Sequence, residues 1–359
     1  MISTEFDVHA AAICWAAREI GATVQFLDSS QYLPSASAWI NVGEANDFSF
    51  DGDVFDGDCV AWFRKGVLKK SAVAGAENVA YLSSEWMDYE RGILGRMEED
   101  QSFSWVNKLS SLRTAENKTK QLLEASRTGL NIPSTLITSN YARARAFVEG
   151  TGDVVIKPFV PHVWISKDGK TRNYIFARRI NSQEFSEYSQ DAFTQSPMFY
   201  QACIEKAGDI RVAVIGEKIF AVKMSYDHAK GIDHREFQNH PDFVYEQFVL
   251  DALTEKRLRN LMARLDVRVV SADFLLSKSG DLYFIDLNPS GAFLFIEKHL
   301  PHLNVLQAAV QEFVKNQNVS TGNCPGWEDF SLSSAKTASI QSGLKLIENR
   351  TPSNGITYV

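Results

Sequence analysis

The sequence predicts a mixed α/β (α+β) protein built from three successive units, and three observations support this. The chain has 359 residues, which at roughly 150 residues per domain allows two or three domains. Short apolar strands alternate with helical patterns in its first part. Two long β-hairpins dominate the part after residue 199. The predicted units are residues 1–112, 113–198 and 199–316, followed by a tail, 317–359.

The first unit reads as a small α/β domain. An apolar helix runs from His9 to Ile20 and stops at Gly21, and short strands follow at Thr23 to Leu27 and Val60 to Phe63. No glycine-rich phosphate loop follows either strand. A dinucleotide-binding fingerprint and a P-loop are therefore excluded.

The second unit contains a helix, a buried strand and a cationic hairpin. The helix spans Thr114 to Arg127, with Gly129 as its C-terminal cap. The strand, residues 154–156, ends at Lys157. The hairpin, Val163 to Ile180, turns at an Asp-Gly pair, which favours positive φ angles. Its cations are Lys167, Lys170, Arg172, Arg178 and Arg179.

The third unit combines hairpins with two helices. Its predicted elements are a strand at Phe199 to Ile204, a hairpin at Ile210 to Met224, a helix at Leu250 to Leu265, a hairpin at Val269 to Asn288 and a helix at Asn304 to Lys315. The tail is rich in Ser, Thr and Asn without a sustained period, so we expect it to be loosely docked.

Composition excludes several classes of protein. The net charge of −7 disfavours non-specific nucleic-acid binding. The four cysteines lie too far apart in sequence for a zinc ribbon or a thioredoxin-like motif. No segment approaches the roughly 20 apolar residues of a membrane span. We therefore expect a cytoplasmic protein that binds neither nucleic acid nor membrane.

The strongest signal for chemistry lies in the last hairpin. If its strands are symmetric about the turn at residues 278–281, Asp273 lies directly opposite Asp286. Asn288, two residues further on, shares the face of Asp286. Like charges directly opposite each other destabilise a strand pair. Two carboxylates and an amide oxygen are hard ligands that suit Mg²⁺ shared with phosphates. The sequence therefore predicts a magnesium site here, rather than a merely polar strand face.

Four cations are candidates for the same site. Lys157 ends an apolar strand, and Lys118 lies on the apolar side of its helix, although a solvated or snorkelling lysine would look the same. Arg211 and Lys223 lie on the two strands of one hairpin around Gly216. A three-residue loop would place these two opposite each other and a two-residue loop would not. The sequence leaves that register open.

Together these segments resemble the ATP-grasp carboxylate ligases. The resemblance rests on AENK around Lys118, VVIKP around Lys157, YQACIEKAGDIR, SADF around Asp273 and IDLNPSG. The order AENK, IPSTLIT and DLNPSGAFLFIE resembles, more narrowly, the microviridin-type macrocyclases, which are the graspetide ligases of ribosomal peptides. The resemblance implies a three-domain ATP-grasp fold with an N-terminal pre-ATP-grasp domain, and it excludes the tail.

The resemblance also implies roles for individual residues. Lys118 and Lys157 match the lysines that hold ATP phosphates, Arg211 an arginine near the phosphates, and Lys223 its support. The magnesium ligands would be Asp273, Asp286 and Asn288. The hinge that meets adenine would be Gln201, Ala202, Cys203 and Ile204, with Glu205 at the ribose. Asp233 and Arg235 resemble an Asp-x-Arg element on the acceptor side. The sequence departs from the family at two positions. Asp286 stands where the family usually has the longer Glu, and Ala202 stands where an acidic residue is common.

The function implied is ATP-dependent formation of ester or amide cross-links in a precursor peptide with a leader and a core. The cofactors would be ATP and Mg²⁺, and the resemblance suggests a homodimer. The cationic hairpin would suit an acidic or amphipathic peptide, and a solvated charged hairpin would look the same. Two alternatives stay open: a RimK-type ligase that adds an amino acid, and a nucleotide-binding module without ligase activity.

Overall fold

The computed structural model describes residues 1–28, 39–43, 48–49, 59–64, 77–159, 162–165, 172–175, 177–191, 196–226 and 240–348. Of residues 48–49, 162–165, 172–175 and 343–348 it describes the backbone alone. Within these ranges the protein is a mixed α/β structure, as predicted. No helix there is long and apolar enough to cross a membrane.

The N-terminal unit is built on short parallel strand pairs. β1 pairs with β2 and β5 with β6, both in parallel, and an isolated bridge links Ile2 to Phe63. A further antiparallel pair joins β3 to β4. The predicted first helix is confirmed, and it ends before Gly21, whose φ is +83°. The elements are β1 (Ile2–Ser3), α1 (Val8–Glu19), β2 (Leu27–Asp28), β3 (Trp39–Ile40), β4 (Phe48–Ser49), β5 (Cys59–Ala61), α2 (Val79–Glu99), β6 (Phe103–Trp105) and α3 (Leu109–Ala115).

The central unit is a four-stranded sheet in the order β11-β8-β12-β7. Asn117 starts α4 by accepting the amide N–H of Lys120 at 2.9 Å, so the predicted helix from Thr114 is two helices. Gly129, with φ +82°, ends it as predicted. The elements are α4 (Lys118–Arg127), β7 (Thr135–Thr138), α5 (Tyr141–Thr151), β8 (Val154–Lys157), β9 (His162–Ile165), β10 (Arg172–Ile175), β11 (Arg178–Ile180), α6 (Ser182–Ser186) and β12 (Met198–Ala202).

The cationic hairpin is shorter than predicted. Its strands β9 and β10 are antiparallel with Ile165 opposite Arg172. The predicted Asp-Gly turn lies outside the described residues. β11 instead pairs with β8 in the central sheet. Arg178 and Arg179 therefore do not belong to the hairpin. β12 also belongs to this sheet, between β8 and β7, so we propose that the central unit ends after β12 rather than at residue 198.

The last unit is a five-stranded antiparallel sheet in the order β15-β14-β13-β16-β17. One face packs on α4 and α7, and the other packs on α1, α8 and α9. The sheet is thus the layer on which the other units converge. The elements are β13 (Lys206–Ile215), β14 (Lys218–Ser225), β15 (Val244–Phe248), α7 (Ala252–Arg264), β16 (Val269–Ser277), β17 (Leu282–Asn288), α8 (Leu294–His299), a 3-10 turn (Pro301–Leu303) and α9 (Val305–Phe313).

The described part of the tail, residues 317–348, contains two helices and packs on the core, which corrects the prediction that the tail is loosely docked. It forms α10 (Trp327–Leu332) and α11 (Ser334–Glu348). Phe330 is fully buried and its ring lies 5.6 Å from that of Trp15 on α1. The buried carboxylate of Glu297 accepts the amide N–H of Trp327 at 2.7 Å and ties α10 to α8. A few apolar residues are enough to dock the tail on the core, and the tail sequence has no hydrophobic periodicity that would have revealed them.

Candidate active site

The two carboxylates of the last hairpin face each other, as predicted. Asp273 on β16 is the direct partner of Asp286 on β17, and Ser271 is the partner of Asn288. Closer to the turn the register shifts, because Phe274 pairs with Phe284 and leaves Ile285 as an extra residue. This bulge restores the alignment that simple symmetry about the turn assumes. The strand register and the bulge together therefore place Asp273 opposite Asp286.

A row of side chains extends across the sheet from this pair. Arg211 on β13 is directly opposite Asp273, and its Nε lies 2.7 Å from Asp273 Oδ1. Residues directly opposite share a face, so Arg211, Asp273 and Asp286 lie side by side on one face. The ring of Phe295 lies 5.9 Å from the guanidinium carbon of Arg211. The sheet itself thus brings one cation and two anions together.

Lys118 forms an ion pair with Asp286 from a helix outside the sheet. It is the first residue of α4, and its Nζ lies 2.7 Å from both carboxylate oxygens of Asp286. Both side chains are partly exposed, at 23% for Lys118 and 33% for Asp286. Each carboxylate of the pair therefore holds one cationic side chain.

Lys157 approaches the same cluster from the central sheet. Burial lowers the pKa of Lys157 to about 8, although the carboxylates of Asp286 and Asp273 are near enough to oppose the shift. The positive charge of Lys118 lowers it further. Its Nζ lies 5.6 Å from the centre of the Phe199 ring. The end of β8 thus carries a desolvated cation toward the facing carboxylates.

Lys223 does not join this row. The β13–β14 connection has two residues, Gly216 and Glu217, since Ile215 pairs with Lys218. Lys223 is consequently opposite Ile210, on the other face of the sheet from Arg211. Its Nζ lies 3.7 Å from a carboxylate oxygen of Glu246. The structure therefore contradicts the predicted support of Arg211 by Lys223.

The predicted hinge is the connection between the two sheets. Gln201 is buried, and its side-chain amide donates to Thr135 Oγ at 2.9 Å. The amide N–H of Ala202 donates to the carbonyl of Ser134 at 2.8 Å, and Cys203 donates to the carbonyl of Asp153 at 2.9 Å. Burial raises the pKa of the Cys203 thiol. Residues 203–205, including Ile204, lie outside both flanking strands.

Glu205 lies at the surface end of this hinge. Its carboxylate is 3.2 Å from Lys278 Nζ, and both side chains are more than two-thirds exposed. The side chain of the next residue, Lys206, is 8% exposed. It donates to both carboxylate oxygens of Asp209, at 2.9 and 2.8 Å, and to the Tyr226 hydroxyl at 2.8 Å. A register shift lies between Lys206 and Gly208. This ion pair fixes the start of the strand that carries Arg211.

The remaining predicted residues lie elsewhere or outside the described part. Arg178 donates to the Tyr188 hydroxyl at 2.5 Å, and Arg179 Nε donates to Asp153 at 2.9 Å. Both are exposed surface contacts. Asp233, Arg235, Lys167 and Lys170 fall outside the described residues, as does the side chain of Arg172.

Sequence reasoning missed Gln121, which holds β17, the strand of Asp286 and Asn288. β17 is an edge strand, so its outer backbone groups need partners from elsewhere. Gln121, buried on α4, donates to the carbonyl of Leu287 at 2.7 Å and accepts its amide N–H at 2.9 Å. Leu287 lies between Asp286 and Asn288. In the sequence, the position of Gln121 one helical turn after Lys118 was the only indication that it lies near the same strand.

The donor set fits a magnesium ion shared with phosphates. No group of three or more His, Cys, Asp or Glu side chains suited to a metal exists in the described part of the chain. Two carboxylates and the amide oxygen of Asn288 are too few for octahedral coordination. Phosphate oxygens and water would complete the shell, and Lys118, Lys157 and Arg211 supply the positive charge that a triphosphate requires.

Solved structures with the same architecture exist. No protein-family model and no curated protein matches the chain. The macrocyclase MdnC of Microcystis aeruginosa MRC, bound with precursor peptide MdnA, superposes with a TM-score of 0.72 at 19% identity, over 88% of this chain and 99% of that one. A RiPP-associated ATP-grasp ligase of Chryseobacterium gregarium, in complex with ADP and a leader and core peptide, gives 0.73 at 20% identity, over 90% and 98%.

The chain has the ATP-grasp fold. A third ATP-grasp ligase, PsnB, complexed with a phosphomimetic variant of minimal precursor, Mg and ADP, gives a TM-score of 0.69 at 16% identity, over 88% of this chain and 97% of that one. The fold class expected from the sequence is confirmed. In this ATP-grasp fold Lys157 approaches the facing carboxylates from the central sheet, and the hinge connects that sheet to the last one.

Proposed function

We propose that this ATP-grasp protein is an ADP-forming ligase that cross-links side chains of a ribosomal precursor peptide. The observation that carries the proposal is the convergence of Lys118, Lys157 and Arg211 on the facing carboxylates Asp273 and Asp286. The similar structures contain precursor peptides, ADP and Mg, and these partners support the substrate class.

The proposed reaction has two steps. A side-chain carboxylate of the peptide attacks the γ-phosphorus of ATP, which gives an acylphosphate and releases ADP. A hydroxyl or amine of a second side chain then displaces phosphate and forms an ester or an amide. Bound Mg²⁺, held by Asp273, Asp286 and Asn288, would neutralise charge on the phosphates.

The chain's own residues position and stabilise these groups. Arg211 stabilises the transferring phosphoryl group, and the two lysines hold the phosphates. Before ATP binds, Asp286 keeps Lys118 in place and Asp273 keeps Arg211 in place. We propose that the hinge backbone receives adenine and Glu205 the ribose, that Asp233 deprotonates the nucleophile, and that Arg235 orients the carboxylate. The cationic hairpin would hold the leader.

Mass spectrometry of candidate peptides tests the function. We expect a peptide encoded near the gene, rich in Thr, Ser or Lys and in Asp or Glu, to lose one water per cross-link after incubation with ATP and Mg²⁺. The matched control replaces ATP by a non-hydrolysable analogue and should leave the mass unchanged. A mass gain equal to an added amino acid would contradict cross-linking and support the RimK-type alternative. ATP binding without ADP release would support the binding-module alternative.

We also propose that the protein is a cytoplasmic homodimer. The first turns of α2 support an intermolecular contact, because they expose apolar side chains: Val79 is 40% exposed, Tyr81 59% and Met87 38%. Buried residues of this helix begin only at Ile93.

A further inference from the structure

The segment that follows Asn288, residues 289–294, is held by side chains of the N-terminal unit. The carbonyl of Pro289 accepts the Asn107 side-chain amide at 2.6 Å. Arg64 donates to the carbonyls of both Ser290 and Gly291. The amide N–H groups of Phe293 and Leu294 donate to His9 Nε2 at 3.1 and 3.2 Å. Three side chains from three separate stretches thus bind five backbone groups of six consecutive residues.

Arg64 is a buried cation whose contacts point to a positioning role. The residue is 6% exposed, and its Nε lies 2.7 Å from Asp7 Oδ2. Asp7 is itself fixed by the Ser3 hydroxyl at 2.8 Å and by the amide N–H of His9 at 3.1 Å, at the start of α1. A buried ion pair contributes little net stability compared with apolar residues of similar volume. Here the ion pair with Asp7 orients the Arg64 guanidinium toward the backbone carbonyls of Ser290 and Gly291.

The segment is coupled to the side chain of Asn288. Asn288 Oδ1 accepts the amide N–H of Ser290 at 3.0 Å, while Arg64 binds the carbonyl of the same residue. Both backbone polar groups of Ser290, the N–H and the carbonyl, are therefore hydrogen-bonded to side chains. The hydrogen bond fixes the orientation of the Asn288 amide and leaves the second lone pair of its oxygen available as a ligand.

We infer that Arg64 and His9 are positioning residues of the metal site, acting through residues 289–294 to aim the Asn288 oxygen at the ion. The inference rests on the proposed function, since it takes Asn288 as a ligand. The N-terminal unit is then part of the catalytic structure. A partner in direct contact with a metal ligand commonly changes metal affinity by about 10- to 100-fold when substituted. Ser290 is such a partner of Asn288, and Arg64 and His9 act on it through the backbone of the segment.

The test measures Mn²⁺ binding to the full chain in the presence of ADP, by electron paramagnetic resonance of free Mn²⁺. We expect Arg64→Lys to weaken Mn²⁺ binding by about tenfold, because one ammonium cannot replace a guanidinium that bridges Asp7 and two carbonyls. His9→Leu, which removes the acceptor, should weaken it as well, and His9→Gln, whose amide oxygen accepts, should restore it. ADP affinity without metal should stay unchanged.

The control is Arg18→Lys, because Arg18 also donates to a backbone carbonyl, that of Val24 at 3.0 Å, but in an exposed position. A merely structural role would lower the melting temperature and leave the Mn²⁺ affinity of the folded protein unchanged, which would overturn the inference. If Arg64→Lys fails to fold, equal Mn²⁺ affinity of His9→Leu and His9→Gln would overturn it. If the unmodified protein binds no Mn²⁺ with ADP, the proposed function fails and the inference fails with it.

Discussion

Replacing Asp273 by asparagine is expected to lower Mg²⁺-dependent ADP release by about a hundredfold or more, the scale for losing a group that stabilises developing charge. The substitution keeps the shape of the side chain and removes its negative charge. It takes away the proposed metal ligand and the anion that holds Arg211 at 2.7 Å. Steady-state release of ADP, measured with a peptide that the unmodified protein cross-links, checks the prediction.

Asp281→Asn is the matched control for this experiment. Asp281 lies at the turn of the same hairpin, is exposed and accepts the Ser279 hydroxyl at 2.7 Å. We expect this variant to release ADP at the normal rate. Unchanged activity of Asp273→Asn would show that the facing carboxylates are not the metal site.

Replacing Lys157 by methionine is expected to abolish the stabilisation of the protein by ATP and to raise the melting temperature of the ligand-free protein. Methionine has a similar length and no charge, so it removes both the proposed phosphate contact and the desolvation cost that lowers the pKa of Lys157 to about 8. A ligand that binds only the folded state raises its stability. Thermal unfolding with and without ATP measures both effects.

The gain in stability should depend on pH in a defined direction. The folded-state pKa lies below that of an exposed lysine, so the desolvation cost is fully present below pH 8 and fades as the pH rises toward the pKa of an exposed lysine. The advantage of Lys157→Met should shrink over that window. The control, Lys256→Met, changes an exposed lysine on α7. A less stable Lys157→Met that still responds normally to ATP would contradict the assignment.

The acidic pair was predictable because strand pairing is a local property. Two residues of one hairpin are aligned by its turn, and the turn at residues 278–281 is visible in the sequence. The prediction assumed symmetry, and it succeeded because the extra residue Ile285 compensates for the register near the turn. The register of Arg211 and Lys223 was not predictable in the same way, because one residue of loop length decides the face of every side chain.

Contacts between segments that are distant in the chain could not be predicted from the sequence. Arg64 looked like an ordinary residue after a short strand, yet it binds a segment more than two hundred positions away. Gln121 and Lys118 reach β17 from α4 in the same way. The tail shows the same limit, because Phe330, Trp327 and a few other apolar residues dock a segment whose composition is polar. Tertiary packing decides such contacts, and no local period encodes them.

We propose that Asp273, Asp286 and Asn288 jointly bind a divalent ion that carries the ATP phosphates. The most direct measurement is anomalous diffraction from a crystal grown with ADP and Mn²⁺. We predict one anomalous peak between the carboxylates of Asp273 and Asp286, in direct contact with both and with a phosphate oxygen. A peak that touches neither carboxylate, with Lys118 still bound to Asp286 and Arg211 to Asp273, would contradict the claim.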